Sequence, residues 1–109
     1  MIQLHRGLVH ARPLLVFEAD RMERLAADLR TIAEGRAPQP HDLEESPVVE
    51  RWRYVARTVP TIVGVGKGHP RLRDGFVQTT EILAIDLVGR WARTLSRYYV
   101  LGEERSDDC

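Results

Sequence analysis

Cysteine is almost missing from this chain. The single one, Cys109, is the last residue, so no internal disulfide can form and a reducing, cytoplasmic setting is expected. Long apolar runs are missing as well: the longest plausible ones, Leu14 to Phe17 and Ile82 to Ile85, fall far short of the roughly 18 residues of a membrane span. No membrane partner is expected. The opening MIQLHRGLVHARPLL is interrupted by His5, Arg6, His10 and Arg12 before a secretory apolar region can form, so export is not expected. Paired metal-ligand spacings are also absent, because His5, His10, His41, His69 and Cys109 show neither C-x-x-C nor H-x-x-x-H. Neither a metal nor a cofactor is expected.

What is there begins with TIVGVGKGHPRL, residues Thr61 to Leu72, where three glycines and a lysine follow an apolar run. A Walker loop needs G-x-x-x-x-G-K-[ST], a long arc around the phosphates followed by a hydroxyl for magnesium. Here Gly64 and Gly66 are two apart, and Lys67 is followed by Gly68 and His69. The arc is too short and the hydroxyl is missing. A dinucleotide fingerprint fails too, because Pro70 and the residues after it lack the helical periodicity that such a motif must open. The stretch reads instead as a strand, Thr61 to Val65, turned out by Gly66, Gly68 and Pro70.

The length of 109 residues predicts a single domain. Residues 1–13 form an N-terminal segment. Leu15, Met22, Leu25, Leu29 and Ile32, with Ala26 and Ala33 alongside, have the spacing of one apolar helix stripe and predict a helix over 14–35. Asp20 with Arg24, Arg24 with Asp28 and Arg30 with Glu34 are charged neighbours four apart. The start is open between Pro13 at the first helical position and a capping box of Asp20 with Glu23. Gly35, Pro38 and Pro40 mark the stop. Residues 36–51 read as a connector with two short helical turns, one at His41 to Glu45 and one at Ser46-Pro47. From Trp52 to Gly102 the texture is β: Trp52 to Val59, Thr61 to Val65, Phe76 to Thr79, Glu81 to Leu87, Arg90 to Leu95 and Arg97 to Leu101, with turns at Asp74-Gly75 and Val88-Gly89. Residues 103–109 are an acidic tail. The expected fold is α+β: one amphipathic helix plus short helical turns on a small, antiparallel, curled sheet of five to six strands or an SH3-like barrel, with Leu25 and Leu29 against the sheet.

Charge sums to zero but is unevenly spread. Met1 to Glu50 carries six Arg against nine Asp and Glu, a net −3; Arg51 to Leu101 carries nine Lys and Arg against Asp74, Glu81 and Asp86, a net +6. A basic middle of this kind steers a nucleic acid or an acidic protein toward it, or else is neutralised internally by the acidic flanks. Its densest part is Arg90, Trp91, Arg93, Arg97, Tyr98 and Tyr99. Arginine interleaved with aromatics suits single-stranded nucleic acid through phosphate contact and stacking, whereas the structural reading makes Trp91 and Tyr99 core and pairs Arg93 with Asp86 or Glu81. Lys67, Arg71, Arg73 and Arg90, in or beside turns, are expected on a solvated face. The candidate binding residues are therefore Lys67, His69, Arg71, Arg73, Arg90, Trp91, Arg93, Arg97 and Tyr98. By residue type His69, Asp86 and Ser96 supply a hydrolytic triad, but Ser96 stands in L-S-R rather than in a G-x-S-x-G elbow. No catalytic residue is assigned.

Gly68-His69-Pro70, Asp74-Gly75, Thr79-Thr80, and the ending with Arg93-Thr94, Ser96-Arg97, Tyr99 and Leu101-Gly102 together resemble an uncharacterised family of small bacterial proteins, domain of unknown function 6634. The resemblance covers most of the chain and implies no activity. The expected function is a small non-enzymatic interaction module, with a protein partner or a second copy favoured. Nucleic-acid binding through the basic β segment is the alternative and an enzyme the third.

Overall fold

The computed structural model describes residues 1–69, 71 and 73–105. The fold is α+β, in two compact units: Met1–Leu14 with the chain from Thr58 onward, and Leu15–Arg57. One helix, α1 (Leu8–Ala33), belongs in part to each.

The first unit is built on a four-stranded sheet in the order β1-β4-β5-β6, from β1 (Ile2–Gln3), β4 (Ile82–Asp86), β5 (Trp91–Thr94) and β6 (Tyr98–Val100), while β2 (Val63–Gly66) and β3 (Gly75–Gln78) form a separate hairpin. The strands thus divide between two sheets and no barrel closes. The sheet is also mixed, since β1 lies parallel to β4 with Ile2 opposite Ala84 and Gln3 opposite Ile85. The β4–β5 register shifts between Ile82 and Ala84, so Ile82 pairs with Thr94 and Ile85 with Ala92. Because directly opposed residues share a face, the shift brings Ile82, Ile85, Ala92 and Thr94 to one side despite the odd spacing in β4. Ile82, Ile85 and Ala92 are the core, with Ile62 and Leu101 packed against them. Each isoleucine contributes about 1.5–3 kcal/mol on burial.

The base of the hairpin is tied to this sheet through main-chain bonds. The Thr79 N–H donates to the Ile62 carbonyl and the Ile82 N–H to the Pro60 carbonyl, both at 2.9 Å. The Thr79 hydroxyl accepts from the Ile62 N–H at 3.0 Å. Further along, the Leu95 N–H donates to the Glu81 carbonyl at 3.0 Å.

Helix α1 begins six residues before the predicted start. The Gly7 carbonyl accepts from the Ala11 N–H at 3.2 Å, which opens the first turn at Leu8, so neither Pro13 nor Asp20 is the start. Pro13 lies inside the helix; the hydrogen bond it cannot make would have gone to the carbonyl of Val9, a residue 85% exposed, where water takes its place. The stop is where the sequence puts it. Gly35 has φ 83°, and the Gly35 and Arg36 N–H groups reach back to the Ile32 and Thr31 carbonyls at 2.9 and 3.1 Å. That is the paired C-terminal bonding of a helix closed by a left-handed residue.

The second unit holds the rest of α1 and a 3-10 turn at Pro40–Leu43, where the Gln39 N–H donates to the Asp42 carboxylate at 2.9 Å. Ser46-Pro47 opens no helix and Trp52 to Val59 forms no strand. All eight residues of that stretch are exposed, and aromatic, β-branched composition is not enough when no neighbouring strand is there to pair. Leu25 and Leu29 remain 51% and 56% exposed, not core as expected: apolar spacing identifies a face, not what buries it. The charged pairs four apart do not form either. The helix carries instead Arg21 with Glu18, three apart at 2.6 Å. Among the described residues, no helix is long and apolar enough to cross a membrane.

Candidate functional site

The candidate residues fall into two groups. Lys67, His69, Arg71 and Arg73 lie on the loop between β2 and β3. Gly68 has φ +74° with open space where a Cβ would sit, and its N–H donates to the Asp74 carboxylate at 3.0 Å. A left-handed residue and an aspartate acceptor thus shape the loop. Within it the His69 Nδ1 accepts from the Arg71 N–H at 3.0 Å, while Lys67, Arg71 and Arg73 are exposed. Pro70, the third residue of the expected turn, lies outside the described residues, as do 106–109 of the acidic tail.

Trp91, Arg93 and Tyr98 form the second group. Trp91 and Arg93 alternate along β5 onto one face, and Tyr98 joins them because it pairs with Arg93 across β5–β6. The Arg93 guanidinium sits over the Tyr98 ring, 5.2 Å from its centre. Trp91 meets the same ring edge-on at 5.7 Å. Tyr98 remains 68% exposed, so this is a solvated aromatic and basic face. Trp91 is half-buried rather than core. Arg93 pairs with neither Asp86 nor Glu81: the Asp86 carboxylate accepts from the Val88 and Gly89 N–H groups at 3.0 and 2.9 Å, closing the β4–β5 turn. Arg90 completes that turn at φ 58°, exposed and in a left-handed conformation that an L side chain adopts at a cost.

Arg97 lies in the β5–β6 turn, half-buried, and its position is set by a residue that the sequence reading passed over as a ligand or a core residue. Thr94 is fully buried. Its hydroxyl accepts from the Ser96 and Arg97 N–H groups at 3.1 and 3.2 Å and donates to the Arg97 carbonyl at 3.2 Å. The Thr94 N–H donates to that same carbonyl at 2.9 Å. The signal was present as Thr-x-Ser-Arg between two strands, the kind of short polar residue that bonds its own turn.

The triad types do not meet. His69 is bonded within its loop, Asp86 within its turn, and the Ser96 hydroxyl lies 3.1 Å from that of Thr80. Among the described residues, ion pairs join Arg21 to Glu18, Arg36 to Glu34 and His41 to Asp42, and none includes Lys67, Arg71, Arg73, Arg90, Arg93 or Arg97.

In comparisons with known proteins, the model of a family described as a family of unknown function, DUF6634, matches residues 18–109. Neither a curated protein nor a solved structure matches.

Proposed function

The chain belongs to that family of unknown function, so the reading rests on its own residues, and we propose that it is a small non-enzymatic interaction module whose helical unit docks a protein partner. The observation that carries this is the absence of any buried residue from 15 to 57, although the stretch holds Leu25, Leu29, Ile32, Trp52, Tyr54 and Val55, each at least 50% exposed. Apolar surface on that scale marks an interface. Amphipathic helices likewise owe most of their stability to packing of the apolar face. The test is co-purification from the native extract, scored separately for protein and for nucleic acid, with wild type and Leu25→Glu. Retention of a protein by wild type and its loss in the variant is expected; retention equal in both, or of nucleic acid alone, refutes the reading. The lone Cys109 fits a cytoplasmic setting, and the family resemblance a bacterial one.

A second reading, single-stranded nucleic acid on the basic β segment, is favoured by the hairpin-loop cations Lys67, Arg71 and Arg73, which form no ion pair among the described residues, together with exposed Tyr98 between Trp91 and Arg93. Its test is titration of labelled single-stranded DNA and RNA at two salt concentrations. Affinity falling log-linearly with salt is expected, and no binding at low salt removes the reading.

A further inference from the structure

The apolar stripe of α1 has a finer period than amphipathicity requires. Leu15, Glu18, Met22, Leu25, Leu29 and Ile32 alternate spacings of three and four, which are the a and d positions of a heptad, and Leu8 and Ala11 continue it toward the N-terminus. An a/d seam of this kind is the packing surface of paired helices. Its C-terminal part is uncovered, with Leu25, Leu29 and Ile32 at 51%, 56% and 50% exposure, while Leu15, Glu18 and Met22 are half-buried and Ala11 is buried. On one flank the e positions are Ala19, Ala26 and Ala33; on the other the g positions include Arg21 and Asp28.

We infer that this seam pairs with the same seam of a second copy of the chain, the two helices antiparallel. The inference rests on the interaction-module reading and names its partner. In a parallel pair Glu18 would face Glu18 of the other copy, like charges on the seam, and the flanks would set Arg21 beside Ala26 and Asp28 beside Ala33, with no ion pair. The antiparallel pair stacks Leu15 on Ile32, Met22 on Leu25 and Leu29 on Glu18 of the second copy. Flank then meets like flank: Ala19 lies against Ala26, small enough for close approach, and Arg21 lies beside Asp28. By the two-fold symmetry of such an interface, each of these contacts occurs twice. The charge pattern is thus self-complementary in one orientation only. Glu18 is the polar exception on the seam, already neutralised from its own chain by Arg21 at 2.6 Å, and a single polar seam residue fixes register at a cost in affinity. Asp28 has no ion-pair partner among the described residues.

Sedimentation equilibrium of the full chain over a concentration series tests this. Wild type is expected to rise from 12.5 kDa to twice that mass. Asp28→Arg, which sets arginine beside arginine at both ends of the seam, should weaken association at least tenfold without loss of circular-dichroism signal, and Asp28→Arg with Arg21→Asp should recover part of it, the remainder being lost because Arg21 also neutralises Glu18. In a Cys109→Ser background, mixed Arg21→Cys and Asp28→Cys chains should cross-link to each other in preference to themselves. A wild type that stays at 12.5 kDa at every concentration, an unchanged dimer in Asp28→Arg, or preferential self-cross-linking each overturns the inference. If the wild type is monomeric yet retains a different protein, sensitive to Leu25→Glu, the interaction-module reading stands and this one falls.

Discussion

Replacing Thr94 by valine removes one hydroxyl at nearly constant volume from a side chain with no exposed surface. Three interactions go with it: acceptance from the Ser96 and Arg97 N–H groups and donation to the Arg97 carbonyl, at 3.1, 3.2 and 3.2 Å. They are not equal. Ser96 is exposed, so water replaces the hydroxyl at its N–H at little cost. The Arg97 carbonyl keeps its bond from the Thr94 N–H at 2.9 Å. The Arg97 N–H, on a half-buried residue, is the group left without a partner, and an unsatisfied donor of that kind costs about 1–3 kcal/mol. Adding a few tenths for the other two, we expect Thr94→Val to destabilise by about 2 kcal/mol. Urea unfolding should show a lower midpoint with an unchanged slope, and thermal unfolding a fall on the order of 10 °C for a unit of this size. Thr94→Ser keeps the hydroxyl and loses one methyl, so it should cost less, about 1 kcal/mol. If Thr94→Val lies within 0.5 kcal/mol of wild type, or below Thr94→Ser in cost, the turn does not depend on the hydroxyl and the reasoning fails.

Gly68→Val, at φ +74°, should cost about 1 kcal/mol or more from backbone strain alone; an unchanged melting temperature would show that the loop relaxes freely. Arg90→Gly acts in the opposite direction, since φ 58° suits glycine, and should raise stability by about 0.5–1 kcal/mol by the same comparison of left-handed cost with glycine entropy; a loss of stability in thermal unfolding refutes it. Arg93→Ala removes a cation from an exposed tyrosine ring rather than a member of a sheet ion pair, so its cost should be about 0.5–1 kcal/mol, and a double-mutant cycle with Tyr98→Leu should show the coupling. Changing Lys67, Arg71 and Arg73 together to Gln should leave the melting temperature nearly unchanged, as these exposed side chains form no ion pair among the described residues, while reducing the salt slope of any polyanion binding by about three.

The β half of the molecule was legible because its signals are local. Asp74-Gly75 and Val88-Gly89 each sit where two strands turn, and short polar or glycine residues there do the same work in almost any context. The stop of α1 at Gly35 was legible for that reason too. What the sequence concealed depends on distant partners. Ile2–Gln3 is a strand only because β4 lies alongside it, and two residues carry no periodicity. Trp52 to Val59 has strand composition but no partner strand among the described residues, so it forms no strand and stays exposed. Arg93 looked like an ion-pair member because Asp86 and Glu81 lie on the neighbouring strand or just before it; Asp86 was already committed to the turn N–H groups, a competition decided by main-chain geometry. Of the candidate site, the alternation that sets Trp91 and Arg93 on one face could be read in advance. That Tyr98 joins them could not, since this follows from the β5–β6 register.

The helix seam and the basic β segment answer to different physics, which makes their roles separable in one preparation. Association through Leu15, Met22, Leu25, Leu29 and Ile32 is chiefly apolar, and excluded salts such as sulfate should leave it intact or strengthen it. Only the Arg21 and Asp28 part is screened, and two exposed pairs are each worth no more than about 1 kcal/mol. Contact between Lys67, Arg71, Arg73 or Arg90 and a phosphate backbone weakens steeply over the same salt range. Mass measured against salt therefore reports the seam, and polyanion binding measured against salt reports the loop. The two are also coupled in one direction. Pairing two copies places two basic segments in one particle, so a polyanion long enough to reach both gains avidity that a monomer lacks. Asp28→Arg, which adds a positive charge yet breaks the pair, should then bind a long single strand more weakly than wild type and a short one no less tightly. Tighter binding to both lengths would mean that charge alone governs the interaction and that pairing contributes nothing to it.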